Sequence, residues 1–317
     1  CTSTSVTEKY QDKRNDIINV KDKVIEFETG NVLIGSVSRL YMSNKCLLIA
    51  DHKSVDKQIH IFNKNDFSYL TSIGNFGEGP EEITVMGCLA IDEAHHQLYV
   101  SDHAKQKIFS YEMDSVMVDS LYKPQVKTAM NETLFPSEYQ YINDTLSIAV
   151  LIKPTSTSTF NQFLGRWNMN TGEMIPMKYT HPDIQKKRIT FAASEKAGIY
   201  VECYTRHDLM TICSLDGELL YNIYGPDWDG GNGNKLQSFG TVMIGNDKIF
   251  VSYCGEDYAR DSFPTKILVF DLEGNYLKTL ETGYKISDCC YDSFNNRIIL
   301  SLNDVVQFAY LDIDGII

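Results

Sequence analysis

The chain has no run of about eighteen apolar residues, the length a helix needs to cross a bilayer. It is short of positive charge: 29 Lys and Arg stand against 42 Asp and Glu, a formal net charge of −13. An acidic surface repels phosphate backbones, which excludes nucleic acid as a partner and gives anionic lipid no electrostatic grip. None of the eight cysteines shows CxxC spacing, and Cys46, Cys203 and Cys213 sit inside apolar runs, as free thiols packed like small hydrophobes do. The vicinal pair Cys289–Cys290 lies in a strand pattern that turns its side chains to opposite faces, which excludes joint chelation. Gly-x-Ser-x-Gly, His-Glu-x-x-His and a phosphate loop are all missing, so the chemistry that those motifs serve has no signature here.

What the chain does have is a repeat. A short apolar run recurs as Leu47–Asp51, Leu98–Asp102, Leu146–Val150, Ile199–Cys203, Ile249–Tyr253 and Ile298–Leu302. The period is about fifty residues, the mark of equivalent supersecondary units that cannot bury their faces alone. A second run follows each anchor: Gln58–Phe62, Lys107–Tyr111, Phe163–Trp167, Met210–Cys213, Ile267–Phe270 and Val306–Tyr310. Asp216–Gly217 and Glu273–Gly274–Asn275 then supply hairpin turns into a further strand. Four antiparallel strands per unit, with no helical periodicity between units, predict an all-β, six-bladed β-propeller. The sixth unit stops where its fourth strand should begin, while Lys23–Glu28 alternates apolar and polar with no unit of its own. The N-terminal strand is therefore expected to complete the last blade, pairing around 306–312 and removing two exposed edges.

Phe76-Gly-Glu-Gly-Pro-Glu-Glu82, then Ala90–Asp92, Leu98–Asp102 and Lys107–Phe109, is similar to the NHL-type repeat, in which a Gly-rich connector precedes strands ending in Asp. With Cys1, this looks like the six-bladed TolB-like propeller lipoproteins of Gram-negative bacteria. The match is specific in blades one and two, recognisable in five and weak elsewhere. The resemblance implies an extracytoplasmic propeller and no particular reaction. Cys1 followed by Thr2-Ser3-Thr4-Ser5 resembles a mature lipoprotein, so Cys1 is expected to carry lipid, residues 1–21 to form a polar tether and 22–317 the propeller.

In a propeller the second-to-third strand loops and the blade-to-blade connectors share one face, where binding usually resides. The residues mapped there are His52, His103, Arg206, His207, Trp228, Glu256, Asp257, Tyr258 and Arg260. His52 and His103 occupy equivalent positions after an Asp, suited to proton handling, to a metal, or to a plain repeated hairpin. Asp227–Asn234 is dense in oxygen donors but places Gly231 and Ser238 where a calcium loop needs a donor and a Glu. Trp228 offers a stacking surface for a sugar, and Glu256, Asp257, Tyr258 and Arg260 offer carboxylates beside a clamp. His95–His96 falls in a turn on the opposite face and carries no assignment. Asn131 and Asn143 head sequons that matter only in a secreted eukaryotic protein. The reading is a non-enzymatic, envelope-anchored module presenting one face to a protein or glycan, with no cofactor and no catalytic residue. The alternative is a carbohydrate-active or calcium-dependent hydrolase or lyase, with calcium in the central channel as in the lactonase-type propellers.

Overall fold

The computed structural model describes residues 6–317, so Cys1 and its immediate neighbours lie outside the described residues. The fold is the all-β, six-bladed propeller that the spacing predicts: six antiparallel meanders, each with an anchor run as its second strand. Helix is confined, among the described residues, to Met113–Val116 and two short 3-10 turns.

Residues 28–176 form one compact unit of three blades. Blade 1 is Ser38–Met42, Cys46–Asp51, Lys57–Asn63 and Tyr69–Asn75. Blade 2 is Met86–Asp92, Gln97–Asp102, Lys107–Glu112 and Gln125–Ala129. Blade 3 is Phe135–Asn143, Leu146–Pro154, Phe160–Trp167 and Met174–Pro176. Every residue of Cys46–Asp51 is buried, as befits a strand covered on both faces, which reads as a continuous apolar run. Blade 2 shows how such a run is used. Leu98 and Val100 pack with Leu48, Ala50 and Ile61 of blade 1, whereas Tyr99 between them packs with Tyr139, Ala149 and Trp167 of blade 3. Each such side chain contributes about 1.5–3 kcal/mol when fully buried.

The second compact unit joins residues 6–27 to 177–317. Its blade 4 is Ile189–Ser194, Ile199–Tyr204, Leu209–Ser214 and Leu219–Tyr224. Blade 5 is Leu236–Gly245, Lys248–Asp257, Lys266–Asp271 and Tyr276–Glu281. Blade 6 is Ile286–Asp292, Arg297–Leu302 and Phe308–Asp312, with Val24–Glu26 as its outer strand. Ile25 stands opposite Tyr310 in that antiparallel pairing. The sequence-predicted run starting at Val306 begins two residues later, at Phe308. The anchor alternation repeats: Ile249 and Val251 join the cluster with blade 4, and Phe250 joins the one with blade 6.

The tether expected over 1–21 is corrected across much of its length. Glu8–Tyr10 adds a parallel fifth strand to Leu219–Tyr224, and Ile17–Asn19 adds one to Tyr276–Glu281. Polar composition does not prevent this, because the edge strands supply backbone partners: Asn222 N donates to Thr7 O at 2.8 Å and Thr279 N to Asp16 O at 2.9 Å. Three side chains fix the segment. Tyr10 stacks on Tyr224 with centroids 4.5 Å apart, Val20 is fully buried, and Arg14 pairs with Asp208 at 2.7 Å. Both partners of that ion pair are nearly inaccessible, with side chains 5% and 0% exposed.

Removing one member of a buried ion pair strands the other, at a cost of about 3–5 kcal/mol. Arg14→Ala is therefore expected to lower the unfolding free energy by about that amount in urea denaturation. Deleting residues 1–27 should go further and cause aggregation, since it bares the edges of blades 4, 5 and 6. A truncated chain that melts where the intact one does would sink this account of the N-terminal segment.

Candidate functional site

In the 28–176 unit, the anchors of blades 1 and 2 each end in an Asp that ties a connector to a loop. Asp51 accepts from Gly35 N at 2.9 Å and Lys53 N at 3.1 Å; Asp102 accepts from Thr84 N at 2.8 Å and Ala104 N at 3.0 Å. The histidines that follow are held in turn, His52 N by Val37 O and His103 N by Val85 O. His52 Nδ1 lies 3.2 Å from Met86 O, and since a carbonyl only accepts, Nδ1 carries the proton and Nε2 a lone pair. The next residue is Gly87, where a β-carbon would overlap His103 Nε2. The two imidazoles thus flank the Met86–Gly87 backbone, where the register to Gln97–Asp102 shifts. His103 meets Phe135 edge-on, with centroids 4.9 Å apart.

Burial lowers both imidazole pKa values; for His52 the Arg39 guanidinium adds to the effect. The Nε2 atoms of both, with the hydroxyls of Tyr41 and Tyr139, are buried without a hydrogen-bond partner. Arg39 of blade 1 pairs with Glu138 of blade 3 nearby, a contact that no sequence spacing announces. Burial also pushes the Cys88 thiol up to about 11. Around this end of blade 1 the loops present apolar groups to solvent: Leu33 and Val55 are 94% and 81% exposed, with Val37, Phe76 and Val85 about half exposed. Phe76 N donates to Asp56 O, which joins the connector to the loop carrying Val55.

In the other unit the predicted residues come together in pairs, each already engaged. The Arg206 guanidinium lies 3.5 Å over the Tyr258 ring and donates to Asn234 O. His207 is buried, with Nδ1 3.4 Å from Asp229. Trp228 is wedged between His181, His207 and Tyr224, with centroids 5.8, 6.2 and 4.9 Å away, rather than standing free as a stacking surface. Glu256 pairs with Arg260 at 3.0 Å on an exposed loop, and Asp257 caps Ala259 N at 2.9 Å. Sequence reasoning missed Tyr224 and His181, whose hydroxyl and Nε2 are 2.7 Å apart, and Glu8, which accepts from Tyr224 at 2.9 Å.

Among the described residues, one group of three potential metal ligands converges: Asp92, His95 and Asp144, on the turn face. None of the predicted rim residues belongs to it. His95 N and Nδ1 both contact Asp92, at 3.1 and 2.8 Å. In blade 6 the equivalent turn has Asn295 N and Nδ2 on Asp292 at 3.2 and 2.7 Å. The imidazole does what an amide does elsewhere, so the geometry is that of a turn.

Because partial burial lowers the pKa of His52 and His103, the unfolded chain takes up protons below about pH 6.5 that the folded chain resists. His60 and His181, also lowered by burial, add to this. Stability is expected to fall as pH drops from 7.5 to 5, by at most about 1.4 kcal/mol per pH unit for each histidine. Replacing His52 or His103 by Gln should flatten the slope in urea titrations. A stability that is level or rises over that range would contradict the neutral assignment.

The chain has no match among curated proteins. Its fold is similar to a “putative exported protein” of Bacteroides fragilis, at 12% identity and a TM-score of 0.60, over 93% of this chain and 88% of that one. A DUF4221 member of Bacteroides vulgatus is similar at 11% identity and 0.58, over 91% and 94%. The β-propeller domain of Cps50 (Swd1) from Myceliophteria thermophila follows at 10% and 0.56, over 90% and 98%. At these identities the likeness is one of fold. A family model described as a 6-bladed beta-propeller, DUF5128, matches residues 3–162, half of the chain. With six blades in the structure and that match in the sequence, the chain belongs to this family of 6-bladed beta-propellers.

Proposed function

We propose that this protein is a non-enzymatic binding propeller of the cell envelope, whose connector-and-loop face at blade 1 receives a protein partner. The observation that carries the reading is the set of exposed apolar side chains, Leu33, Val37, Val55, Phe76 and Val85. Single exposed hydrophobes need no explanation, but several on hydrogen-bonded neighbouring loops are a feature of interaction surfaces. A glycan platform is less well supported, because the Tyr258 ring is covered by Arg206 and Trp228 is packed between three rings. Against hydrolysis stands the engagement of the loop carboxylates, Glu256 by Arg260 and Asp257 by Ala259 N. The finer NHL-type reading is supported by Asp51 and Asp102, which cap the connectors as a repeat motif would. An envelope location draws support from the exported-protein description of the Bacteroides fragilis neighbour.

A photo-crosslinking residue at Val55 or Phe76 should trap a protein in intact cells, and Leu33→Asp or Val37→Asp should abolish the product without moving Tm. The control is Leu121, 81% exposed on the turn side of blade 2. Equal products from Leu121, or none from Val55 and Phe76 with polysaccharide binding lost in Tyr258→Ala, would overturn the proposal.

A further inference from the structure

The turn face of blades 1 and 2 carries a feature that the loop face does not use. Blades 4 and 5 pass from third to fourth strand through tight turns at Gly217 and Gly274, both at positive φ. Blade 2 instead inserts residues 113–124, which include the helical turn Met113–Val116. The insertion is pinned inward: Val116 is buried, Tyr122 packs on Tyr111 at 6.1 Å, and its hydroxyl accepts from Glu112 N at 3.0 Å. Closing a hairpin requires none of this. What the insertion builds is one wall of a cavity of about 530 Å³, whose other walls are the Ser43–Cys46 turn of blade 1 and the end of the first strand of blade 2.

That volume falls within the range of small-molecule sites, about 300–1,000 Å³. The walls are apolar, from Leu70, Ile91, Met113 and Met117, and thioethers adapt to irregular hydrocarbon shapes. The polar lining is unbalanced in charge, with Lys45 and His96 set against Asp92, Glu93 and Asp114. Asp92 is committed, accepting from His95 and from Tyr99 Oη at 2.7 Å. Glu93 engages one oxygen, Oε1, with Asn44 N at 2.7 Å. Asp114 stands 3.5 Å from His96 Nδ1 with a side chain 76% exposed. Two carboxylates therefore keep unspent oxygens above an apolar floor, and the negative charge outweighs the one ammonium. An anionic head would meet net repulsion there, and a neutral one could donate hydrogen bonds but would leave the net negative charge unmet.

We propose that this cavity binds an amphipathic monocation, an alkyl- or arylammonium whose hydrocarbon lies against Leu70, Ile91 and the two methionines and whose ammonium sits between Glu93 and Asp114. Octylammonium and octanoate share a chain and differ in head charge, so isothermal titration of the full chain with each tests both halves of the assignment. Octylammonium should bind saturably at one site. Glu93→Gln with Asp114→Asn keeps the amide oxygens that accept hydrogen bonds and removes the charge; it should weaken binding about tenfold, or about 1.4 kcal/mol. Met117→Trp fills the cavity and should abolish binding with little change in Tm. Octanoate binding as tightly as octylammonium overturns the charge assignment. Absence of saturable binding, or wild-type affinity in both variants, overturns the site.

Discussion

Burial of the second strand of a blade on both faces is the constraint on which the rest of this structure depends. A strand such as Gln97–Asp102 gives alternate side chains to different neighbours, Leu98 and Val100 to blade 1 and Tyr99 to blade 3. A blade by itself would leave one of those faces in water, so stability belongs to the stack and not to the sheet. The same geometry requires a partner for polar groups inside the strands, as Thr211 Oγ1 has in Asn222 Oδ1 at 2.7 Å. It also leaves each outer strand with an unpaired edge, the classical liability of β-structure in solution. Residues 7–27 answer that liability three times in succession, on blades 4, 5 and 6.

The ends of the anchors show how a rigid stack tolerates variable loops. Asp51 and Asp102 spend their carboxylate oxygens on backbone amides of both the connector and the loop. These bonds satisfy backbone donors of the connector and the loop, each a net contribution of about 0.5–1.5 kcal/mol. With the backbone fixed, the side chains above it are released from structural duty. Hence Val55, a few residues past Asp51, and Phe76, just after the outer strand, can stand exposed, and hence His52 and His103 can occupy half-buried positions against Met86 and Gly87.

The repeat was legible because double-sided burial forces continuous apolar runs, and a run that recurs every fifty residues cannot be mistaken for helix. Lys23–Glu28 was legible as a strand for the related reason that it alternates. Residues 7–20 were not, because their order comes from backbone pairing with an existing edge and from one buried ion pair. Neither leaves a hydrophobic period, and Arg14 looks like any solvated cation until Asp208 is seen 2.7 Å away. Of the predicted rim, the pairing of residue types was foreseeable but their engagement was not. Trp228 is read from sequence as an exposed loop residue, yet Tyr224 and His207 reach it from the end of the outer strand and from the second-to-third strand loop of blade 4. Arg39 and Glu138, about a hundred residues apart in sequence, meet because both lie on first strands of their blades, Ser38–Met42 and Phe135–Asn143.

The two ends of blades 1 and 2 follow different physical logics. At the loop end, Asp51 and Asp102 are spent on backbone amides while Leu33, Val55 and Phe76 stand exposed, side chains that gain by excluding water against another apolar surface. At the turn end, Glu93 and Asp114 keep oxygens unspent above Leu70, Ile91 and the methionines, which favours a ligand with one polar head and one hydrocarbon body. Both arrangements stand on the same buried strands, Cys46–Asp51 and Gln97–Asp102. Packed strands shared by both ends give a rigid base, and binding at the two ends is expected to be additive.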